Sequence, residues 1–351
     1  MSHGIAAALE VSRLTVSVGG PHAQSTRLVD DVSFSIAHGE TYGLVGESGS
    51  GKSMTALAVM GLLRRNRSVR VEGSIRLAGR ELTTITGREF ADLRGPEVAM
   101  VFQDPMSSLN PAYSVGEQIA ESIRRHRRLS RSAAWEEAVE ILRLVEIPGP
   151  AKRAHSYPHE MSGGMRQRVM LAMAVACRPK LLIADEPTTA LDVTVQAQIL
   201  ALLRRLQAEI GMAVLFITHD LAVLADIADR VGVMFAGQLV EEATVVDVFE
   251  RTRHPYSSAL LRSSPEFLGL FDSNRGATGH QTAETGCRFR LRCEHAVEKC
   301  AQEPLLRPVP QEQEHRSRCL RFEEIVIRTA GDLWLEKQRV EHDHLVAGGQ
   351  A

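Results

Sequence analysis

The sequence predicts an α/β fold, a large domain of alternating strands and helices followed by a small cysteine-rich extension. Three observations carry this. From about Leu9 to Ser264, short continuous apolar runs such as "ETYGLVG" and "LLIAD" alternate with stretches of helical spacing. Such runs suit strands buried on both faces of a parallel sheet. A glycine-rich loop, "GESGSGKS", stands between one strand-like run and one helix-like run. Four of the five cysteines gather near the end of the chain, at Cys287, Cys293, Cys300 and Cys319.

The bulk numbers bound the function. A chain of 351 residues has room for one large domain and a smaller one. A net charge of -2 supplies no global basic field for nucleic acid. The N-terminus, "MSHGIAAALE", lacks a basic stretch ahead of an apolar one, so no secretory signal is expected. The longest apolar run, "VMLAMAVAC", falls far short of the roughly 20 residues that span a bilayer. A cytosolic location is expected, with membrane contact made through a partner. In a reducing compartment, clustered cysteines read as metal ligands or redox thiols before disulfides.

Taken in order, the first functional element is the loop from Gly46 to Ser53. It fits G-x-x-x-x-G-K-[ST], follows the strand-like "TYGLV" and precedes the helix-like "MTALAVMGLL", which is the context this pattern requires. Gly46, Glu47, Ser48, Gly49, Ser50 and Gly51 would wrap their backbone N–H groups around phosphates at a helix N-terminus. Lys52 is expected to reach the β- and γ-phosphates, and the Ser53 hydroxyl to bind Mg²⁺. The region from about 105 to 165 reads as a helical subdomain, with "SAAWEEAVEILRLVEI" its clearest helix. The basic run "RRHRR" within it reads as a solvated helix face, because no aromatic residues interleave with it. "LLIADEP" then brings Asp185 and Glu186 to the end of a buried strand. Asp185 is placed to hold Mg²⁺ and Glu186 to polarise an attacking water. "VTVQAQILALLRRLQAEIG" spaces its apolar residues as a helix that stops at Gly211. "MAVLFITHD" is again strand-like. A polar, Gly-containing linker is expected over 265–285, the cysteine-rich domain over 286–325, and a frayed tail over 326–351.

Between the two phosphate-site motifs lies "YPHEMSGGMRQRV", and here the chain resembles the ATP-binding-cassette (ABC) family. "MSGGM" resembles that family's signature loop, Gln103 in "VFQDP" its Q-loop, "ALD" at 190–192 its D-loop, and His219 in "ITHD" its switch histidine. The resemblance covers residues 8–264 and implies a P-loop NTPase cassette with a mixed sheet core and a helical subdomain. It implies that Glu186, His219 and Gln103 serve hydrolysis and that Ser53, Gln103 and Asp185 hold Mg²⁺. It also implies that Ser162, Gly163 and Gly164 contact ATP bound by a second, identical or paralogous cassette. Two departures stand out: Met161 and Met165 replace the usual leucine and glutamine of the signature, and Val18 occupies the first-strand position where an aromatic usually stacks on adenine.

"MVFQDPMSSLNP", "HPYSSALL" and the C-x-F-x-x-R-C start of the cysteine segment resemble the oligopeptide/dipeptide importer ATPases, a group that includes nickel and glutathione importers. This implies ATP hydrolysis coupled to uptake of short peptides. It also implies two transmembrane permease subunits, an extracytoplasmic binding protein, no nucleic acid, and a peripheral place on the cytoplasmic face of the membrane. A soluble ABC ATPase acting on nucleic acid or the ribosome is the rival from another class. DNA-repair members, however, insert a long coiled coil ahead of the signature, which the stretch between Lys52 and Ser162 cannot accommodate. Translation-linked members carry two cassettes, and this chain carries one.

The cysteine spacing, C-x5-C-x6-C-x18-C, admits an iron–sulfur cluster, zinc, or free thiols and disulfides. The absence of a C-x2-C pair weighs toward the wider ligand spacing of a 4Fe-4S cluster, and the family resemblance points the same way. His295 and His315 read as spare polar residues, and Cys177 as a small core residue. Pro304, Pro308 and Pro310 predict that the chain between Cys300 and Cys319 loops rather than forming a helix.

Overall fold

The computed structural model describes residues 7–19, 25–66, 68–104, 108–189, 191–263, 282–312, 314–332 and 334. Most of the expected linker, most of the expected tail, and Ala190 of the D-loop lie outside them. The chain divides into two compact units, one formed by 1–42 and 53–217, the other by 43–52 and 218–351. The cysteine-rich segment thus shares a unit with the glycine-rich loop rather than standing apart.

The first unit opens with β1 (Ala7–Val18) and β2 (Thr26–Ala37), followed by β3 (Thr41–Val45), within which the chain leaves this unit. It returns one residue into α1 (Lys52–Val59) and continues through β4 (Val69–Leu77), β5 (Arg80–Glu81) and α2 (Gly87–Leu93). Strands β2-β1-β4-β5 form an antiparallel sheet, with Leu9 opposite Ile36 and Leu77, and Val16 opposite Val29 and Val71. Leu9, Leu14, Val16, Val29 and Ile36 are fully buried; alternation sets the core face, and a register shift around Arg13, φ 52°, brings Leu14 and Val16 back to it.

A parallel set follows. β6 (Val98–Val101) pairs with β7 (Leu181–Asp185), and β7 with β8 (Ala213–Thr218). Every residue of β7 is buried, as its continuous apolar run predicts. Between β6 and β7 come α3 (Val115–His126), α4 (Arg131–Leu144) and α5 (Pro150–Arg153), inside the region expected to be helical, and α6 (Gly163–Val175), which runs past its expected end at about 165. Local chemistry starts these helices. Ser114 and Glu117 form a reciprocal capping box at α3, and the Ser130 hydroxyl accepts from the Ala133 N–H at α4. Arg124 and Arg125 of the basic run are exposed in the last turn of α3, where cations suit the helix dipole. After β7, α7 (Val193–Ile210) ends at Gly211, whose φ of 76° is the left-handed conformation expected there.

The second unit holds α8 (Leu221–Ile227), β9 (Arg230–Phe235), β10 (Gln238–Thr244), α9 (Val245–Glu250) and α10 (Pro255–Arg262). Two short strands of the cysteine-rich segment, β11 (Arg307–Pro308) and β12 (Arg316–Ser317), complete it. β12 pairs antiparallel with β10, placing Ser317 opposite Glu241 and Arg316 opposite Glu242. Between Cys300 and Cys319 there is no α-helix among the described residues, as the prolines predict.

His315 is not the spare polar residue that its sequence position suggested. It is fully buried, with Nε2 2.8 Å from the Glu241 carboxylate and Nδ1 2.7 Å from that of Glu312. Glu241 also accepts from the backbone N–H groups of Arg253 and His254, and buried Glu242 pairs with Arg230 and Arg316. A carboxylate without water is tolerable only when paired and hydrogen-bonded. These bonds therefore tie the extension to the edge of the β9–β10 ribbon.

Candidate functional site

The glycine-rich loop is built inside the second unit. β3 delivers the chain to Gly46, where an added Cβ would lie 2.1 Å from the Met234 carbonyl oxygen. No side chain fits there, so only glycine lets the loop pass. The Ser50 N–H donates to the Glu47 carbonyl at 3.1 Å, and the Gly237 N–H to the Ser50 carbonyl at 2.9 Å, closing and anchoring the turn. Lys52 is buried to 5% exposure, and its ammonium donates to the carbonyls of Gly46 at 2.6 Å and Glu47 at 3.0 Å. The lysine thus holds the loop in shape with bonds that a phosphate could take over. Ser48 and Gly49 at the tip are exposed. His219 follows β8 and is exposed; the next residue, Asp220, caps α8 by accepting from the Ala222 N–H.

In the first unit the structure brings together Ser53, Asp185, Gln103 and Glu186. The Ser53 hydroxyl donates to the Asp185 carboxylate at 3.2 Å. The Gln103 amide donates to the Glu186 carboxylate at 2.9 Å, and the Thr189 hydroxyl donates to the same oxygen at 3.0 Å. Hydroxyl, carboxylate and amide form an all-oxygen donor set of the kind Mg²⁺ prefers, so these side chains fit that ion. Glu186 has φ 48°, a left-handed conformation that disfavours side-chain-bearing residues. Its N–H donates to the Ile217 carbonyl at 2.9 Å, a ladder-like bond that holds this turn at the end of β7. An acid held in this conformation just past the end of a buried strand has a fixed place.

Ser162 caps α6, its side chain accepting from the Met165 N–H at 3.4 Å. Ser162 and Gly163 are exposed, and Gly164 packs so closely that a Cβ would meet a Val195 methyl at 2.9 Å. Met161 is buried, so a thioether takes the place of the usual leucine without leaving the core. Asp192 caps α7 through the Val195 N–H. Val18 closes β1 opposite Thr26 and Val69 and is half-buried.

The four clustered cysteines of the second unit line one cavity, together with Phe289 and Ile325. Burial pushes the thiols of Cys287, Cys293 and Cys319 up, Cys293 to about 11 and Cys319 to about 12, and the neighbouring thiols add to it. All five cysteines of the chain are free thiols, which removes the disulfide reading for the described structure. Among the described residues, no group of three or more His, Cys, Asp or Glu side chains is placed to hold a metal ion. Cys177 is half-buried, and burial raises its thiol as well.

Sequence reasoning missed Tyr256 and Arg292. The fully buried Tyr256 hydroxyl accepts from the Glu47 N–H at 2.9 Å, and Arg292 pairs with the Glu47 carboxylate at 2.7 Å. A signal existed in "HPYSSALL". Burial pushes His254 down to about 3, so the neutral ring accepts from the Tyr256 N–H at 3.1 Å and starts α10.

Comparison with known proteins agrees with both halves. The family described as ABC transporter matches residues 29–189, and that described as oligopeptide/dipeptide transporter, C-terminal region, matches 240–300. The dipeptide transport ATP-binding protein DppD of Haemophilus influenzae is 50% identical over 305 residues, covering 86% of this chain and 92% of that protein. DppD of Escherichia coli K12 is 49% identical over 307 residues, covering 86% and 93%. Among solved structures, the dimeric post-hydrolysis state of the ATP-binding cassette MJ0796 bound to ADP and Pi is 26% identical. It superposes with a TM-score of 0.60 over 68% of this chain and 98% of that one.

Proposed function

The chain belongs to the ABC transporter ATP-binding family, with the C-terminal region of its oligopeptide/dipeptide branch, and from that premise we propose that it energises uptake of short peptides through a separate membrane permease. The chain is an ATPase, converting ATP and water to ADP and phosphate. The observation that carries the peptide reading is the match of the cassette and of the C-terminal region together, at about half identity, to proteins named for dipeptide transport.

In this reading the Gly46–Lys52 loop cradles the phosphates, and Ser53, Asp185 and Gln103 hold Mg²⁺, which supplies charge to the phosphate oxygens. Glu186 takes the proton of the attacking water, with Gln103 and Thr189 holding its carboxylate and His219 steadying the γ-phosphate. Ser162, Gly163 and Gly164 offer a hydroxyl and bare N–H groups at the start of α6 to ATP on a second cassette, a paralogue or a copy of this chain. Two permease subunits and an extracytoplasmic binding protein complete the importer, with this chain peripheral on the cytoplasmic face. No helix among the described residues is long and apolar enough to cross a membrane. Cells lacking this chain should lose uptake of a radiolabelled dipeptide, restored by the parent chain and not by Glu186→Gln. Unimpaired dipeptide uptake in the deletion would overturn the peptide assignment, and loss of nickel or glutathione uptake instead would move it within the family.

The cysteine cavity belongs to the same proposal. Four thiols around one cavity, spaced in sequence without a C-x2-C pair, are read as ligands of a 4Fe-4S cluster, Cys287, Cys293, Cys300 and Cys319, over zinc. Such a group supplies cross-links to a segment rich in turns, which has little core of its own. Anaerobically purified protein should then carry about four irons per chain. Serine at any of the four positions should abolish the iron content, while Cys177→Ser leaves it unchanged. Stoichiometric zinc without iron would reverse the assignment.

A further inference from the structure

The turns that carry the cysteines also carry a contact to the phosphate loop. Arg292, immediately before Cys293, donates through Nη1 to Glu47 Oε2 at 2.9 Å and through Nη2 to Glu47 Oε1 at 2.7 Å. This two-pronged pairing fixes the orientation of the carboxylate as well as its position. Arg292 is itself held: its guanidinium carbon lies 5.5 Å from the ring centroids of both Phe235 and Phe289, and only 16% of its side chain is exposed. Phe235, Phe289 and Tyr256 pack as one aromatic cluster with centroids 4.6 to 5.4 Å apart. The Tyr256 hydroxyl takes the Glu47 N–H, so side chain and backbone of one loop residue are gripped from a single cluster. The Lys52 ammonium rests on the carbonyls of the same short stretch, those of Gly46 and Glu47.

The main chain of the segment explains why Arg292 stays in place. Successive turns bond Arg290 N–H to the Cys287 carbonyl, Arg292 N–H to the Phe289 carbonyl and Ala296 N–H to the Cys293 carbonyl. The Cys287 N–H donates to the Cys300 carbonyl at 2.9 Å, closing that run on itself. The position of the guanidinium therefore follows the packing around the thiol cavity.

We propose that Arg292 is a positioning residue for nucleotide binding: through its ion pair with Glu47 it sets the shape of the phosphate loop, and through it the packing of the cysteine segment is felt where ATP binds. The proposal rests on the ATPase reading. Arg292 touches no reacting atom; it acts on the loop that aims Lys52.

The full-length chain, titrated with Mg-ATP by calorimetry and assayed for turnover, tests this. Arg292→Met should weaken ATP affinity about tenfold, and Glu47→Gln about as much, with no further loss in the double variant. The KM for ATP should rise while kcat at saturating ATP stays within about twofold, and Arg292→Lys should recover part of the affinity. Cys300→Ser, at the far end of the run that holds Arg292 and outside the ion pair itself, should weaken ATP binding in the parent and add nothing in the Arg292→Met background. Unchanged affinity in Arg292→Met, or additive losses in either double variant, would overturn the proposal. Failure of the ATPase reading itself looks different, because the parent chain would then not bind ATP at all.

Discussion

Glu186→Gln should abolish steady-state ATP hydrolysis while ATP binding persists. The glutamine keeps an oxygen for the Gln103 amide and the Thr189 hydroxyl, which lie 2.9 and 3.0 Å from the carboxylate, so the local geometry survives. What it loses is basicity. A positioned base contributes about 10²–10⁴-fold to proton transfer, so turnover should fall by about that factor. The left-handed backbone at Glu186, φ 48°, is no harder for glutamine than for glutamate, which makes a folding defect an unsuitable explanation for the loss. ATP affinity measured by calorimetry should stay within about twofold of the parent. Turnover near the parent rate would remove Glu186 from the role of base.

Lys52→Ala should fail one step earlier, at nucleotide binding. The ammonium is buried, and it bridges two carbonyls of the loop, Gly46 and Glu47, at 2.6 and 3.0 Å. Alanine releases these carbonyls and, in the proposed reading, also removes a charge-assisted donor to the phosphates. Charge-assisted bonds of this kind are worth about 1.5–3 kcal/mol, or about 10- to 100-fold in affinity for each one lost. ATP binding should therefore fall by about 10²-fold, with turnover falling alongside it. The two variants together separate cradle from base: one binds without hydrolysing, the other does neither. ATP affinity unchanged in Lys52→Ala would mean that the phosphates lie elsewhere.

Much of this was legible in the chain because the chemistry is local. A glycine loop between a strand and a helix needs only neighbouring residues to be recognised; that Gly46 lies against the Met234 carbonyl is a contact the fold adds. The buried run 181–185, ending in Asp185 and Glu186, is likewise a property of consecutive residues. The helix starts at Ser114, Ser130 and Asp192, which the sequence reading did not pick out, are equally local: each side chain accepts from the N–H three residues ahead.

What stayed hidden were contacts between residues far apart in sequence. His315 reads as spare in its own segment, yet it is fully buried between Glu241 and Glu312 because β12 adds to the edge of β10. Arg292 reads as one arginine among several beside the cysteines, yet it pairs with Glu47, 245 positions away.

The sequence by itself determined the phosphate chemistry, the order of the cassette motifs and the helical region between them, since each is written in short-range spacing and hydropathy. Only the tertiary structure decided that the cysteine-rich segment shares a compact unit with the phosphate loop, and that four scattered thiols face one cavity. The physical reason is that a buried charge or thiol takes its partner from whatever the fold brings within about 3–4 Å, and no local pattern encodes that neighbour.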